Sequence, residues 1–335
     1  MKNIIFIVDS INNIGGAERS TIELIKILSK SFSVIVLHFG NEIKYEISNS
    51  KNINLISLKK VKTRLPRTYI STFNIIAVIQ LVLKIKNIRN IQSIIVGNVS
   101  NHISFFIIPI SKFFCKNNIH IIRDTYAICA GSKNVDSDEI KFNTVKKPNI
   151  LFELKRTKHR FNPLRRILSL FFINFSNKII VPSKAMSRLL DLYKIKTYII
   201  NNSVDTKYKY QTKENFSKNI KILYPSRFTY NKGMLEVYKL CKKIEKENKN
   251  WKVYATASSE LALRNLKMFG LNYLPDNLDC IGWLDNKLLV KEFQKCDVVI
   301  YPTICFESFG RIPIEAMSLS KPVITSGAGG IFNLI

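Results

Sequence analysis

Val298-Val299-Ile300-Tyr301-Pro302-Thr303-Ile304-Cys305-Phe306-Glu307-Ser308-Phe309-Gly310-Arg311-Ile312-Pro313-Ile314-Glu315-Ala316-Met317 is the stretch that decides the fold. Val298–Tyr301 is apolar on both faces, as expected of a strand in a parallel sheet covered by helices on each side. Pro302 stops that strand because it supplies no ladder donor. Pro313 suits the first turn of a helix, where its missing N–H costs nothing. Between them a loop carries Glu307, and Gly310 lets the backbone approach a ligand closely. Parallel sheets bind ligands outside the carboxyl ends of their strands. The free N–H groups around Gly310, Arg311 and Ile312 are therefore expected to point outward with the positive end of the helix dipole, as a cradle for a diphosphate. Glu307 and Glu315 flank that cradle. Carboxylates are poor phosphate ligands but good acceptors for sugar hydroxyls, and a diphosphate between two sugars has the shape of a nucleotide sugar. A helix with an acidic first turn, favoured by its dipole, accounts for the same two residues without any ligand.

Upstream of this stretch, short Ile- and Val-rich runs alternate with longer helical patterns. Candidate strands lie at residues 4–8, 34–37, 53–57, 93–96, 119–122, 178–181 and 198–201, and in a second series at 220–224, 251–256, 278–282, 298–301 and 322–326. Segments such as 17–29, 70–88, 184–192 and 234–247 have helical length and periodicity. Repeated βα units imply an α/β fold of two Rossmann-like, doubly wound domains. The polar break Asn201-Asn202-Ser203 divides them into residues 1–202 and 203–335. Residues 136–166 are basic and interrupted by Pro148 and Pro163, and read as a mobile loop or an amphipathic segment on a surface.

Lys and Arg number 52 against 24 Asp and Glu, a formal charge of +28, so the field favours nucleic acid, anionic membrane or phosphorylated small molecules. No helix-turn-helix, zinc or stacking-aromatic motif supports nucleic acid. The six cysteines have neither C-x-x-C nor zinc spacing, and no metal site is expected. The apolar run at residues 4–8 is too short for a signal peptide, and residues 103–114, broken by Pro109 and Lys112, are too few to span a bilayer. These features point to a cytoplasmic protein, peripheral on the inner face of a membrane if its basic stretches, 51–67 and 141–166, dock on anionic lipid.

Further candidate residues sit at strand ends. Arg227, after Tyr224-Pro225-Ser226, and Lys232, before Gly233, can clamp a diphosphate and stabilise charge on a leaving group. Two surface cations in a basic protein is the plainer reading of that pair. Gly15-Gly16-Ala17-Glu18-Arg19 follows the first strand and opens a helix, by itself a weak phosphate signal. Arg123-Asp124-Thr125-Tyr126 follows the strand at 119–122. Asp124 either orients or deprotonates a hydroxyl or caps the following turn. His120 reads as a packing residue.

Taken in order, Pro302, Glu307-Ser308-Phe309-Gly310, Glu315-Ala316-Met317, Lys321-Pro322-Val323-Ile324 and Gly329-Gly330 resemble the retaining glycosyltransferases of family 4, which have the GT-B fold and an E-x7-E donor element. The resemblance takes in Arg227 and Lys232 (with Ser226 where Gly is usual) and the GGAE-like Gly15-Gly16. It also takes in Arg123-Asp124 in place of an H-D element, and Asn202-Ser203-Val204-Asp205 at an interdomain hinge. It implies two domains facing a cleft. Glu307 would contact the donor sugar, Glu315 the ribose, and the backbone at Phe309, Gly310 and Arg311 the diphosphate. Gly15 and Gly16 would face the donor across the cleft, and Arg123, Asp124 and Tyr126 the acceptor. It further implies transfer from a UDP- or GDP-linked sugar to a glycan or lipid-linked hydroxyl, with retention, no cofactor and no essential metal. The setting would be assembly of bacterial cell-surface polysaccharide or glycolipid. The chain stops soon after Gly330, which suggests a second domain lacking its last helices, and a non-catalytic binding or scaffold relative is the competing expectation.

Overall fold

The computed structural model describes residues 2–11, 15–40, 51–60, 72, 74–99, 102–129, 162–204 and 219–334. The described residues up to Ser203 form one compact unit and those from Val204 a second. The first contains β1 (Asn3–Val8), α1 (Gly16–Leu28), β2 (Ser33–His38), β3 (Ile53–Ser57), α2 (Ile75–Ile85), β4 (Ile91–Val96), α3 (Ile107–Phe114), β5 (Asn118–Ile121), α4 (Pro163–Ile173), β6 (Lys178–Val181), α5 (Lys184–Asp191) and β7 (Tyr198–Ile199). Its sheet has the order β3-β2-β1-β4-β5-β6-β7 with every pair parallel. From β1 the chain steps outward to β3, then returns to the other side of β1 at β4. Right-handed crossovers therefore put α1 on one face of the sheet and α2, α3 and α4 on the other. Phe6, opposite both Val36 and Ile95 in the ladders, packs with Ile22 and Ile25 of α1.

The second unit runs β8 (Lys221–Tyr224), α6 (Met234–Lys246), β9 (Lys252–Ala255), α7 (Ser259–Lys267), β10 (Leu278–Cys280), α8 (Asn286–Lys295), β11 (Val298–Tyr301), α9 (Arg311–Ser318) and β12 (Val323–Thr325). The order is β10-β9-β8-β11-β12, again all parallel. Successive strand residues point to opposite faces and both faces are covered. Ile222, Tyr224 and Ile300 pack with Val237 and Cys241 of α6, while Leu223 and Val299 pack with Phe293 of α8 and Ala316 of α9. This is the α/β architecture expected from the alternation of apolar runs, and every expected strand is present.

Two expectations are corrected. The strand ends are shorter at the sheet edges, where β7 keeps two residues and β12 three. Pro163 does not interrupt a loop but starts α4. Asn162 accepts from the Arg165 N–H as N-cap, and proline at the first helical position loses no hydrogen bond. Residues 61–67 and 141–161 of the basic stretches lie outside the described residues, as do Pro148 and Asp205. None of the described helices is long and apolar enough to cross a membrane.

Candidate active site

In the second unit the strand order reverses between β8 and β11, the switch point at which open α/β sheets form their ligand crevice outside the carboxyl ends of the strands. The chain leaving β8 turns at Arg227 and passes through a short 3-10 turn, Tyr230–Lys232, to Gly233 and α6. The Tyr224 hydroxyl, buried at the end of β8, donates to the carbonyls of Arg227 (3.1 Å) and Lys232 (2.9 Å) and so fixes the shape of this turn. Gly233 has φ +81°, and a Cβ there would lie 1.9 Å from the Pro302 carbonyl oxygen. Only glycine lets the turn press against the loop leaving β11. That loop is stitched to the turn in return, since the N–H groups of Ile304 and Cys305 and the Thr303 hydroxyl all donate to the Asn231 carbonyl.

This contact brings Lys232 and Glu307 together. The Lys232 ammonium forms a hydrogen-bonded ion pair with Glu307 Oε1, also donates to the Tyr301 hydroxyl at 3.3 Å, and lies over the Tyr301 ring. Glu307 Oε1 further accepts from the Thr303 hydroxyl at 3.1 Å, and the Cys305 thiol lies 3.5 Å away. Burial alone would push the lysine pKa down and the glutamate pKa up. The Tyr301 and Glu307 oxygens outweigh it at Lys232, and the ammonium with its neighbouring donors outweighs it at Glu307. Both groups are held ionised. Arg227 is exposed at the rim, with no side-chain partner among the described residues.

Gly310, at φ +86°, is the N-cap of α9, and a Cβ there would run into Ile331 at 2.5 Å. Phe309 is buried behind it. The helix begins at Arg311, which puts Glu315 one turn into it rather than in its first turn. There the Arg311 guanidinium donates to Glu315 Oε1 from Nε (3.2 Å) and Nη2 (3.0 Å). Arg311, singled out for its backbone N–H, thus also orients the second carboxylate. Gly329 and Gly330 lie against the backbone of Glu307 and Ser308, and the Gly330 N–H donates to the Glu307 carbonyl at 2.6 Å. Lys321 reaches the carbonyls of Gln294 and Cys296 at the end of α8.

The corresponding crevice of the first unit lies between β1 and β4. It holds a cavity of about 140 Å³ lined by Val8, Asp9, Ser10, Ala17, Glu18, Thr21, Asn98 and Asp124. Gly15 caps the start of α1 and faces open space, with Gly16 as the first helical residue. Asp9 accepts from the N–H groups of His102 and Ile103, both at 2.8 Å. Asp124 accepts from the Asn98 amide and from the Tyr126 N–H, both at 2.9 Å. Burial pushes the Asp124 pKa up to about 6, with the Tyr126 N–H and Arg165 pulling it back and Asp9 adding to the rise. One Asp124 oxygen thus caps the turn, and the residue also lines the cavity.

Arg123 and Tyr126 are not among the residues lining this cavity. The Arg123 guanidinium donates to Thr21 Oγ1 (2.8 Å) and Asn202 Oδ1 (3.2 Å), tying α1 to the end of the unit. Tyr126 lies under the Arg165 guanidinium, 3.6 Å from its ring centroid. His120 is buried, bonds the Val96 carbonyl, and has its pKa lowered by burial to about 4, as a packing residue would. Sequence reasoning missed Asn98, Tyr301, Thr303 and Asn231, none of which stands at a recognisable spacing. Among the described residues no group of three or more His, Cys, Asp or Glu side chains is placed to hold a metal ion.

The chain is similar to known proteins in part of its sequence and in its fold. Residues 206–335 match the family model for glycosyl transferases group 1. An uncharacterized glycosyltransferase of Methanocaldococcus jannaschii is 28% identical over 141 residues, a match spanning 39% of this chain and 35% of that protein. Likeness of fold extends over the whole chain. Sucrose-phosphate synthase of Thermosynechococcus elongatus superposes with a TM-score of 0.69 at 17% identity, covering 100% of this chain and 84% of that one. Anabaena HepE, in a crystal structure with UDP and glucose, does so with a TM-score of 0.66 at 15% identity, covering 100% and 83%. Residues 206–335 thus resemble the glycosyl transferases group 1, in a chain that has the fold of GT-B glycosyltransferases.

Proposed function

We propose that this chain transfers a glycosyl group from a nucleoside diphosphate sugar to a hydroxyl of a glycan or lipid-linked acceptor, with retention at the anomeric carbon. The observation that carries the reading is the Lys232–Glu307 pair, set in the switch-point crevice of the second unit beside the start of α9. In this reading the diphosphate takes the backbone N–H groups at Gly310 and Arg311, at the start of α9, and the cations Lys232 and Arg227. Glu307 then accepts from the donor sugar's hydroxyls, and Glu315, held by Arg311, from the ribose. UDP is the first donor to test, because HepE was crystallised with it. The bond between the anomeric carbon and the diphosphate oxygen breaks while the acceptor oxygen bonds that carbon from the same face. The acceptor proton leaves with the departing phosphate or through Asp124. Arg227 and Lys232 stabilise the growing charge, the part a metal ion plays in other transferases. The setting proposed is assembly of cell-surface polysaccharide or glycolipid on the cytoplasmic side of a membrane.

A thermal-shift panel of UDP, GDP and ADP sugars identifies the nucleotide, and hydrolysis of the stabilising donor is then followed in Lys232→Ala and Glu307→Ala. Removing one charge-stabilising donor costs on the order of 100-fold or more in turnover. Full activity in both variants would sink the proposal. A folded chain that binds no nucleoside diphosphate would favour a non-catalytic relative.

A further inference from the structure

The outward side of the first unit reverses the usual rule that large apolar residues lie inside and charged ones outside. In α4 the buried face carries Arg165, Arg166 and Ser169, with Ile173 at its end, and Arg165 is only 2% exposed. The opposite face carries Leu164, Ile167 and Phe171, and Phe175 follows just beyond the helix end. Ile167 is 63% and Phe171 56% exposed. These four stand at i, i+3, i+7 and i+11, a single stripe. The helix cannot roll to hide it. Arg165 and Arg166 donate to the carbonyls of Tyr126 and Ile128, and Ser169 to that of Ala127.

Helix α2 repeats the pattern. Ala77, Val78, Leu81 and Ile85 are buried, yet Ile75, Ile76, Ile79 and Leu83 are exposed, so the helix is apolar on both faces, Gln80 and Lys84 apart. Such a helix belongs in a core or against lipid. Between the two, α3 packs beside both and holds Phe113 outward at 90% exposure. Right-handed crossovers place all three on one face of the sheet, so their outward stripes lie side by side. Around the stripes stand Lys84, Lys86, Arg89, Lys112 and Lys116, all exposed. No acidic residue occurs between Glu46 and Asp124, nor from Asn162 to Leu190.

We infer that this three-helix face seats in the headgroup layer of an anionic bilayer, its apolar stripes among the acyl chains and its lysines on the lipid phosphates. Helices this short lie on a membrane rather than through it. The charge selects the occupant. A second copy docking on the same face would bring like cations together across a two-fold axis, whereas an anionic surface neutralises them. The inference sharpens the membrane contact expected from the basic stretches, moving it to an apolar face of which they contain only Leu164. Arg165 and Arg166, the end of one such stretch, point inward. It rests on the proposed function only for its purpose, because membrane seating and nucleotide binding are measured separately.

The test is co-sedimentation with vesicles of phosphatidylcholine, with and without phosphatidylglycerol, at low and high salt, beside thermal shift with UDP. The full chain is expected to bind the phosphatidylglycerol vesicles and to keep a salt-resistant fraction. Partitioning should fall about tenfold or more in the double variants I167E/F171E and I76E/I79E, whose exposed side chains leave UDP stabilisation unchanged. Lys84→Gln with Lys112→Gln should lose only the salt-sensitive part. Failure of the full chain to sediment, equal binding to pure phosphatidylcholine, or unchanged binding by both double variants would overturn the inference. So would a lipid-free dimer that either double variant converts to monomers, which would assign the face to a second copy.

Discussion

Asp124 shows what a single buried carboxyl gains and loses from its surroundings. Its two hydrogen bonds fix its direction, while burial and the nearby Asp9 hold its pKa near 6. A base must be ionised, so transfer that relies on Asp124 should fall as the pH drops through about 6. The stability contribution runs the other way. The folded chain binds this proton more tightly than the unfolded one, so between the ordinary carboxylate pKa and about 6 this group's contribution grows as the pH falls. A pH–rate profile checks the prediction, and Asp124→Asn should abolish the acid limb; an unchanged limb would remove Asp124 from the reaction. Single residues were only partly legible in the sequence. Lys232 and Glu307 stood in motifs, and their closeness is what the structure adds. Asn98 and Thr303 matter because loops bring them to a carboxylate, and no spacing records that. Arg123 and Tyr126 stood beside Asp124 in the sequence, but the turn after β5 directs only one of the three side chains to the cavity.

The strands were readable at the scale of elements because parallel strands buried on both faces appear as unbroken apolar runs. Helix starts were harder. Pro163 and Pro313 both stand in the first turn of a helix, yet the sequence around one reads as a break and around the other as a helix start. What differed was the cap, because Asn162 before Pro163 is a start signal only if the basic run around it is set aside. The turn before α6 allows a direct comparison. Gly233 and Gly270 both have positive φ, but a Cβ at Gly233 meets the Pro302 carbonyl, while at Gly270 it meets nothing within 4 Å. Gly270→Ala should cost roughly 1–2 kcal/mol from backbone strain alone. Gly233→Ala should cost clearly more and should separate Lys232 from Glu307, abolishing UDP stabilisation. Urea midpoints of the two variants measure the difference, and equal midpoints would mean that the turn does not depend on this contact.

Across the whole molecule, strand order was the property that best positioned the candidate sites. Both sheets reverse direction at their first strand, and each crevice gathers the chemistry-bearing loops of its own unit. Alternating βα runs imply such sheets, but the order itself came only from the structure. The charge of +28 was visible from the start and was the least informative feature, because it says how much and not where. Side-chain direction supplied the missing part, by turning Arg165 and Arg166 inward and Ile167 and Phe171 outward.

The Lys232–Glu307 pair also bears on how a turnover would end. Once the sugar has left, nothing holds Glu307 away from the ammonium, and the carboxylate becomes an internal rival of the nucleoside diphosphate for the same cation. Its return would help to evict the product and keep product inhibition weak. Glu307→Gln should therefore bind UDP more tightly than the parent chain while turning over more slowly, as isothermal titration beside initial rates would record. Weaker UDP binding in that variant would mean that the pair holds the crevice in shape rather than clearing it.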